Sequence, residues 1–506
     1  MTGSVVVPNG LRRRGVGFGR VSAALTRLRS VLEEDALAVS AVAMWAVFLV
    51  FSMPLLLIQD SWLAFVDGRV VAQHWLPHVD TLTLWTLGRH WTDQQWGAHL
   101  VLYELVHHGG LRAAVLFGIG CVTVALALAA LATRVLGASP RSAALGAALP
   151  LLAAPWLAQI RSQSFALVPF VALYALLALD ARRPSRRVLW VLPLLAVWAN
   201  LHGSVALGAG LVLVYGVGLA RHRQSRARGA LLVVGSPLCL LASPYGLQLV
   251  PYYALMLGHP PLAQFVVEWK PPAVEAITAV FFASAFAATA LWGGHRRVLT
   301  TFERWALPLL LVAALTAVRN TVWFELAAAV SLPRLLDAAW PSRIALTAPI
   351  RRVNLIVGSA ALAALAVCVL QAARSPVSLA RGHRPAAAAA VAAAAGRDGI
   401  VLADDEHADW LLWFQPSLAG RVAYDVRFEL YDKRELHAIK LLDDASHPIW
   451  RRCGSQASVV TFARPEDQRI AAREAVVAPG SRTIVRDPTF VAIAQTVAPN
   501  GRCRRL

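Results

Sequence analysis

Asp60 lies at the end of a long apolar run whose last residue is Ile58, in the order Gln59-Asp60-Ser61-Trp62. If that run crosses a membrane, the carboxylate lies at the membrane–water interface, within reach of a lipid-borne and an aqueous reactant. A general base that deprotonates an acceptor belongs there. The alternative is a helix cap, because Asp is favoured at N-caps and 61–75 reads as an interfacial amphipathic helix. Further polar groups recur at the ends of later apolar runs: Arg161 with Gln163, Asn200 with His202, then Tyr245, Glu268, and Arg319 with Asn320. Ionisable groups at the edge of hydrocarbon are costly and often functional. Arg161 and Arg319 are candidate phosphate ligands, since a guanidinium pairs with phosphate oxygens through two parallel hydrogen bonds. Snorkelling to headgroups is the alternative for both. His202, between apolar segments, also reads as a buried and satisfied histidine.

The segment 59–110 is polar and rich in Trp and His, and carries Asp80. Trp62, Trp75, Trp85, Trp91 and Trp96 suit stacking on sugar rings or anchoring at the interface, and anchoring is the expectation for most of them. No HExxH, CxxC or Cys/His cluster points to a metal. Asp404-Asp405-Glu406-His407 reads as a solvated turn.

The elements that must hold these residues follow from composition. The 506 residues are 57% hydrophobic and 15% charged, against roughly 25% charge in soluble domains. Apolar runs lie at 36–58, 111–133, 142–158, 163–181, 188–200, 203–220, 229–243, 274–293, 304–318, 321–337 and 353–373. The fold expected is a polytopic α-helical membrane protein of about eleven transmembrane helices, followed by a small C-terminal α/β soluble domain. The first run is too long for a cleavable signal and lacks a cleavage site. The net charge of +19 comes largely from arginines in alternate loops. The positive-inside rule therefore places residues 1–35 in the cytoplasm, 36–373 across the membrane and 374–506 outside, with 59–110 as a large first outside loop. That distribution makes membrane lipid the expected partner and excludes nucleic acid. In the C-terminal domain, strands are expected at 399–403, 421–424, 457–462 and 483–485, and helices at 386–395 and 429–442. Cys121, Cys239 and Cys368 sit inside apolar runs; Cys453 and Cys503, if outside, could form a disulfide.

This layout resembles the type-C glycosyltransferase superfamily, which includes protein mannosyltransferases, aminoarabinose transferases and the oligosaccharyltransferase catalytic subunit. Asp60-x-Trp62, Pro77-x-x-Asp80, Gln95-Trp96, Asn200-Leu201-His202-Gly203, Pro244-Tyr245-Gly246, Glu268-Trp269 and Arg319-Asn320 are similar to a bacterial group of such enzymes. So is the C-terminal segment from Val422 to Tyr431. The resemblance implies an enzyme of the bacterial inner membrane that works on the outer face. It would move a hexose or pentose from a polyprenyl-phosphate donor to a glycan, lipid or protein acceptor. By the same resemblance Asp60 is the catalytic base and Asp80 a second acidic residue. Asp80, Arg161, Gln163, Asn200, His202, Tyr245, Glu268, Arg319 and Asn320 are the substrate-binding candidates. No adjacent acidic pair follows the first span, and the Trp-Trp-Asp motif of oligosaccharyltransferases is absent from the C-terminal domain. A monophosphate-linked monosaccharide therefore fits better than a diphosphate oligosaccharide. No cofactor is required by the sequence, and a divalent cation is possible. The competing readings are a flippase for lipid-linked sugars and a non-catalytic envelope assembly protein.

Overall fold

The computed structural model describes residues 15–258, 262–341, 347–375, 379, 384–442, 457–462, 480–486 and 490–495. Each apolar run falls on a helix. The chain runs α1 (Gly15–Phe51), α2 (Gln59–His74), α3 (Trp96–Val135), α4 (Pro140–Ala153), α5 (Ser164–Arg182), α6 (Val191–Trp198), α7 (Val205–Ala220) and α8 (Arg226–Cys239). It continues through α9 (Leu249–Leu257), α10 (Leu262–Phe265), α11 (Ala279–His295), α12 (Thr301–Thr316), α13 (Thr321–Ala339) and α14 (Ala348–Arg374). Among the described residues, five stretches are long and apolar enough to cross a membrane: Thr26–Phe51, Trp96–Val135, Ser164–Arg182, Ala276–Val298 and Ala348–Arg374. The other runs give helices that are shorter or carry charge. α6 has 8 residues, and α13 holds Glu325, Arg334 and Asp337.

Glycine explains where the polar 59–110 segment ends. Gly110 adopts φ 68°, ψ 179° inside α3, a conformation open to glycine and costly for other residues. It separates a polar stretch from the apolar remainder of α3, at the boundary read from the sequence.

Buried and half-buried carboxylates draw the bundle together at one end. Asp35 accepts from Arg134 Nε at 2.5 Å. Asp337 accepts from Ser139 N and Ser142 Oγ, each at 2.6 Å. Asp180 accepts from Tyr215 Oη at 2.7 Å and pairs with Arg228 at 3.4 Å. Glu303 accepts from Ser331 Oγ at 2.8 Å and pairs with Arg334. A buried charge is tolerated only when paired in this way. This is the end that the arginine distribution assigns to the cytoplasm.

The C-terminal part contains α15 (Pro385–Ala395), β1 (Val401–Leu402), α16 (Ala408–Phe414), α17 (Lys433–Leu442), β2 (Val459–Phe462), β3 (Arg482–Arg486) and β4 (Val491–Ala494). The sheet order is β1-β2-β4-β3, with β1 and β2 parallel and the other pairs antiparallel. The expected strand at 421–424 is an extended segment joined to β1 by a single bridge, Val401 to Val422. β4 was not anticipated. The Cys453–Cys503 pair lies outside the described residues.

This domain is docked onto the 59–110 segment rather than standing apart. Leu84 N donates to Val422 O at 2.7 Å, Trp85 N to Ala423 O at 3.1 Å, and Gly420 N to Leu82 O at 2.8 Å. Arg69 donates to the Leu412 and Trp413 carbonyls at 2.7 and 2.8 Å. Trp85 stacks on Tyr424 with centroids 5.4 Å apart. Main-chain pairing, a cation on helix-end carbonyls and an aromatic stack make one continuous unit.

Candidate active site

Two contacts fix the position of Asp60. Ile160 N donates to Leu56 O at 2.9 Å, and Ser61 Oγ donates to the Ile160 carbonyl. They bind the start of α2 to the turn between α4 and α5. The N-cap of α2 is Ile58, so Asp60 lies inside the first turn and is not the cap. Its charge there is favoured by the positive end of the helix dipole.

Arg161 stands opposite. Its Nη1 donates to Asp60 Oδ2 at 3.1 Å and to Glu268 Oε1 and Oε2 at 2.8 and 3.0 Å. The guanidinium is 7% exposed, whereas Asp60 and Glu268 are 37% and 36% exposed. A fixed, buried cation thus carries two carboxylates on its open side. Burial alone would lower the Arg161 pKa, but Glu268 and Asp60 raise it. Nη2 of Arg161 is buried and has no hydrogen-bond partner among the described residues.

Arg319 brings a second cation. It lies in the 3-10 turn Val318–Asn320, which is joined to the turn Val267–Trp269 by Val318 N donating to Lys270 O at 2.9 Å. Its guanidinium carbon sits 4.3 Å from the Trp269 ring centroid, a cation–π contact. It makes no hydrogen bond among the described residues.

His202 is buried beside these cations. Ser204 N donates to His202 Nδ1 at 3.1 Å, and Ser204 Oγ lies 2.7 Å from the same atom. Burial, followed by Arg319 and Arg161, holds the imidazole well below its usual range. His202 is therefore neutral, with Nδ1 as acceptor and the proton on Nε2.

The other candidates divide. Gln163 is buried next to Arg161, and its side chain makes no hydrogen bond among the described residues. Asn200 is a staple: its Oδ1 accepts from Trp96 Nε1 at 2.9 Å, and its Nδ2 donates to Ala196 O and Ala242 O at 2.9 and 2.7 Å. Asn320 Nδ2 donates to Ala313 O at 3.0 Å, satisfying a carbonyl at the end of α12. Tyr245 Oη donates to Pro77 O at 2.8 Å.

Asp80 belongs to a different group, at the joint with the C-terminal domain. It accepts from Leu82 N at 2.9 Å, Thr83 Oγ1 at 2.9 Å, Thr86 Oγ1 at 2.5 Å and Arg427 Nη2 at 2.7 Å. Arg427 also pairs with Asp425 at 2.6 Å and lies over the Trp91 ring at 4.6 Å. Asp67 and Asp409 are buried in the same region, with His99 Nδ1 3.8 Å from Asp67. Burial pushes both carboxyls well above the usual range. The acidic run in the C-terminal domain is no loose turn: Asp404 lies 2.8 Å from His407 Nδ1 and accepts from Thr461 Oγ1 at 2.8 Å.

Neither Arg427 nor Tyr252 was assigned a role from the sequence. A Cβ on Gly203 would come within 2.9 Å of Tyr252 Oη, so Tyr252 lines the His202 turn. The paired tyrosines Tyr252-Tyr253 after Pro244-Tyr245-Gly246 were the available signal.

No protein-family model and no curated protein matches the chain. Among solved structures it is similar to ArnT from Cupriavidus metallidurans bound to undecaprenyl phosphate. The match covers 96% of this chain and 100% of that one, at TM-score 0.50 and 13% identity. The apo state of the same protein matches over 96% and 99% of the two chains, at TM-score 0.49 and 12% identity. The chain thus shares the overall fold of that protein over nearly its whole length.

Proposed function

We propose that this chain, built on the type-C fold, is a membrane glycosyltransferase that moves a sugar from a polyprenyl-phosphate donor to an acceptor outside the cytoplasm. The observation that carries the reading is Asp60 held against Arg161, with Arg319 close by, at the ends of apolar helices. A carboxylate base and two guanidiniums are what such a transfer needs. The structural neighbour was crystallised with undecaprenyl phosphate, which supports a lipid phosphate as ligand.

In this reading Asp60 takes the proton of an acceptor hydroxyl. The oxygen attacks the anomeric carbon as the bond to phosphate breaks on the opposite face, and configuration inverts. Arg161 and Arg319 stabilise the charge that develops on the departing phosphate. Neutral His202 and the free Gln163 amide offer hydrogen bonds without adding charge. A single phosphate suits the site: two guanidiniums face two carboxylates, so little net positive charge is left for a diphosphate. A divalent cation is the alternative carrier of the phosphate charge, and chelation distinguishes the two. Asp80 and Asn200 act by positioning the loop and not by touching substrate.

Eleven crossings in a bacterial inner membrane, with the N-terminus inside, complete the proposal. A flippase would have to open the end of the bundle that Asp35, Asp180, Glu303 and Asp337 close, and no observation favours it. Transfer from radiolabelled polyprenyl-phosphate monosaccharides, in membranes holding the protein, tests the reading.

A further inference from the structure

Arg161 is too deeply placed to stand without an anion, because an unpaired buried charge costs several kcal/mol. The ligand-free protein must therefore supply one. Asp60 contributes one oxygen at 3.1 Å, whereas Glu268 brings both of its oxygens to the same Nη1 at 2.8 and 3.0 Å. This is not the fork-to-fork pairing in which a carboxylate spans two guanidinium nitrogens. Nη2 is left buried and, among the described residues, unpartnered. Glu268 thus neutralises the cation without saturating its donors.

We infer that Glu268 occupies the place on Arg161 that the donor's phosphate takes, so that binding exchanges one anion for another on a fixed guanidinium. The inference rests on the donor reading above. A phosphate presents enough oxygens to engage Nη1 and Nη2 together, which the Glu268 carboxylate does not. Glu268 is 36% exposed against 7% for Arg161, so the carboxylate is the partner free to leave. Its turn need not move: Val318 N to Lys270 O and the Trp269–Arg319 contact hold the turn from the other side. The released carboxylate also has a second cation next to its turn, because Arg319 has no hydrogen-bond partner among the described residues. Glu268 is a positioning residue in this scheme. It keeps Arg161 ready and lowers donor affinity by competing for it.

The test is undecaprenyl phosphate binding to the full-length protein in lipid nanodiscs, without any transfer step. Glu268→Gln and Glu268→Ala are each expected to tighten binding by about five- to tenfold, and Arg161→Gln to weaken it by more than about tenfold. In the Arg161→Gln background, Glu268→Gln should have no effect, because the competition runs through that guanidinium. Unchanged or weaker binding by both Glu268 variants overturns the inference. Tightening that persists without Arg161 also overturns it, since it would then be a general charge effect. Failure of the wild type to bind undecaprenyl phosphate removes the donor reading itself, which is a distinguishable result.

Discussion

Arg427 Nη2 donates to Asp80 Oδ1 at 2.7 Å across 347 residues of sequence, and this pair fastens the C-terminal domain to the first outside loop. Both side chains are essentially inaccessible, at 1% and 0% exposure. Removing Arg427 leaves Asp80 and Asp425 buried without their cation. Arg427→Met is expected to cost about 3–5 kcal/mol, as for other broken buried pairs. Asp80→Asn should cost less, since the amide oxygen can still accept from the Thr83 and Thr86 hydroxyls, which meet Oδ2 in the native protein. Thermal unfolding in detergent, with limited proteolysis of the C-terminal domain, measures both.

The same joint gives stability a pH dependence of definite sign. Burial raises the Asp67 and Asp409 carboxyls well above the usual range and pushes Glu429 up to about 7. The folded state then keeps protons that the unfolded chain releases near pH 4. Their contribution is complete below about pH 4 and is lost as pH rises through the folded values. Asp80 has the opposite sign: its pKa is lowered, with Arg427 and hydrogen bonds outweighing burial. Its contribution is lost only as pH falls below about 4. The melting temperature should therefore drop between about pH 5 and 8, and Asp67→Asn or Glu429→Gln should flatten that drop. An unaltered slope in both variants would show that these carboxyls do not titrate in this range.

Gly68 is a contact point between α2 and α3. A Cβ there would overlap the His99 carbonyl oxygen and lie 2.7 Å from Tyr103 Cβ. Backbone cannot be relieved by a rotamer change, so α2 would have to move away. Gly68→Ala is expected to cost about 1–3 kcal/mol of stability. It should also lower turnover, because Asp60 rides on the same helix. Circular dichroism melting and the transfer assay measure the two effects.

Much of this was legible in the chain because charge is conspicuous against hydrocarbon. Asp60, Arg161, Glu268 and Arg319 stood out at the ends of apolar runs, and the structure gathers them. That one guanidinium bridges two carboxylates 101 and 107 residues away is written in no spacing; packing of α2 against the turn before α5 produces it. Asp80 and Asn200 carried the same polar signal yet fasten elements together, a distinction that only their partners reveal. The tryptophans behave likewise. Trp62, Trp85 and Trp91 are buried in packing, whereas Trp75 is 60% exposed. Composition alone treats the indoles alike. In the C-terminal domain the helices at 386–395 and 429–442 were readable from propensity. The segment 421–424, expected as a strand, is extended and pairs through Val422 with both Val401 of β1 and Thr83, one bridge each.

Asp60 acting as base on a lipid-phosphate-linked sugar is the central claim, and one comparison reaches it most directly. Sugar transfer from radiolabelled polyprenyl-phosphate monosaccharides would be measured in membranes holding the wild type or Asp60→Asn, with undecaprenyl phosphate binding measured in parallel. Loss of a positioned base should lower transfer by about 10²–10⁴-fold while binding persists. Equal transfer by the two proteins would contradict Asp60 as the base, and no transfer by the wild type from any donor in a broad panel would contradict the transferase itself.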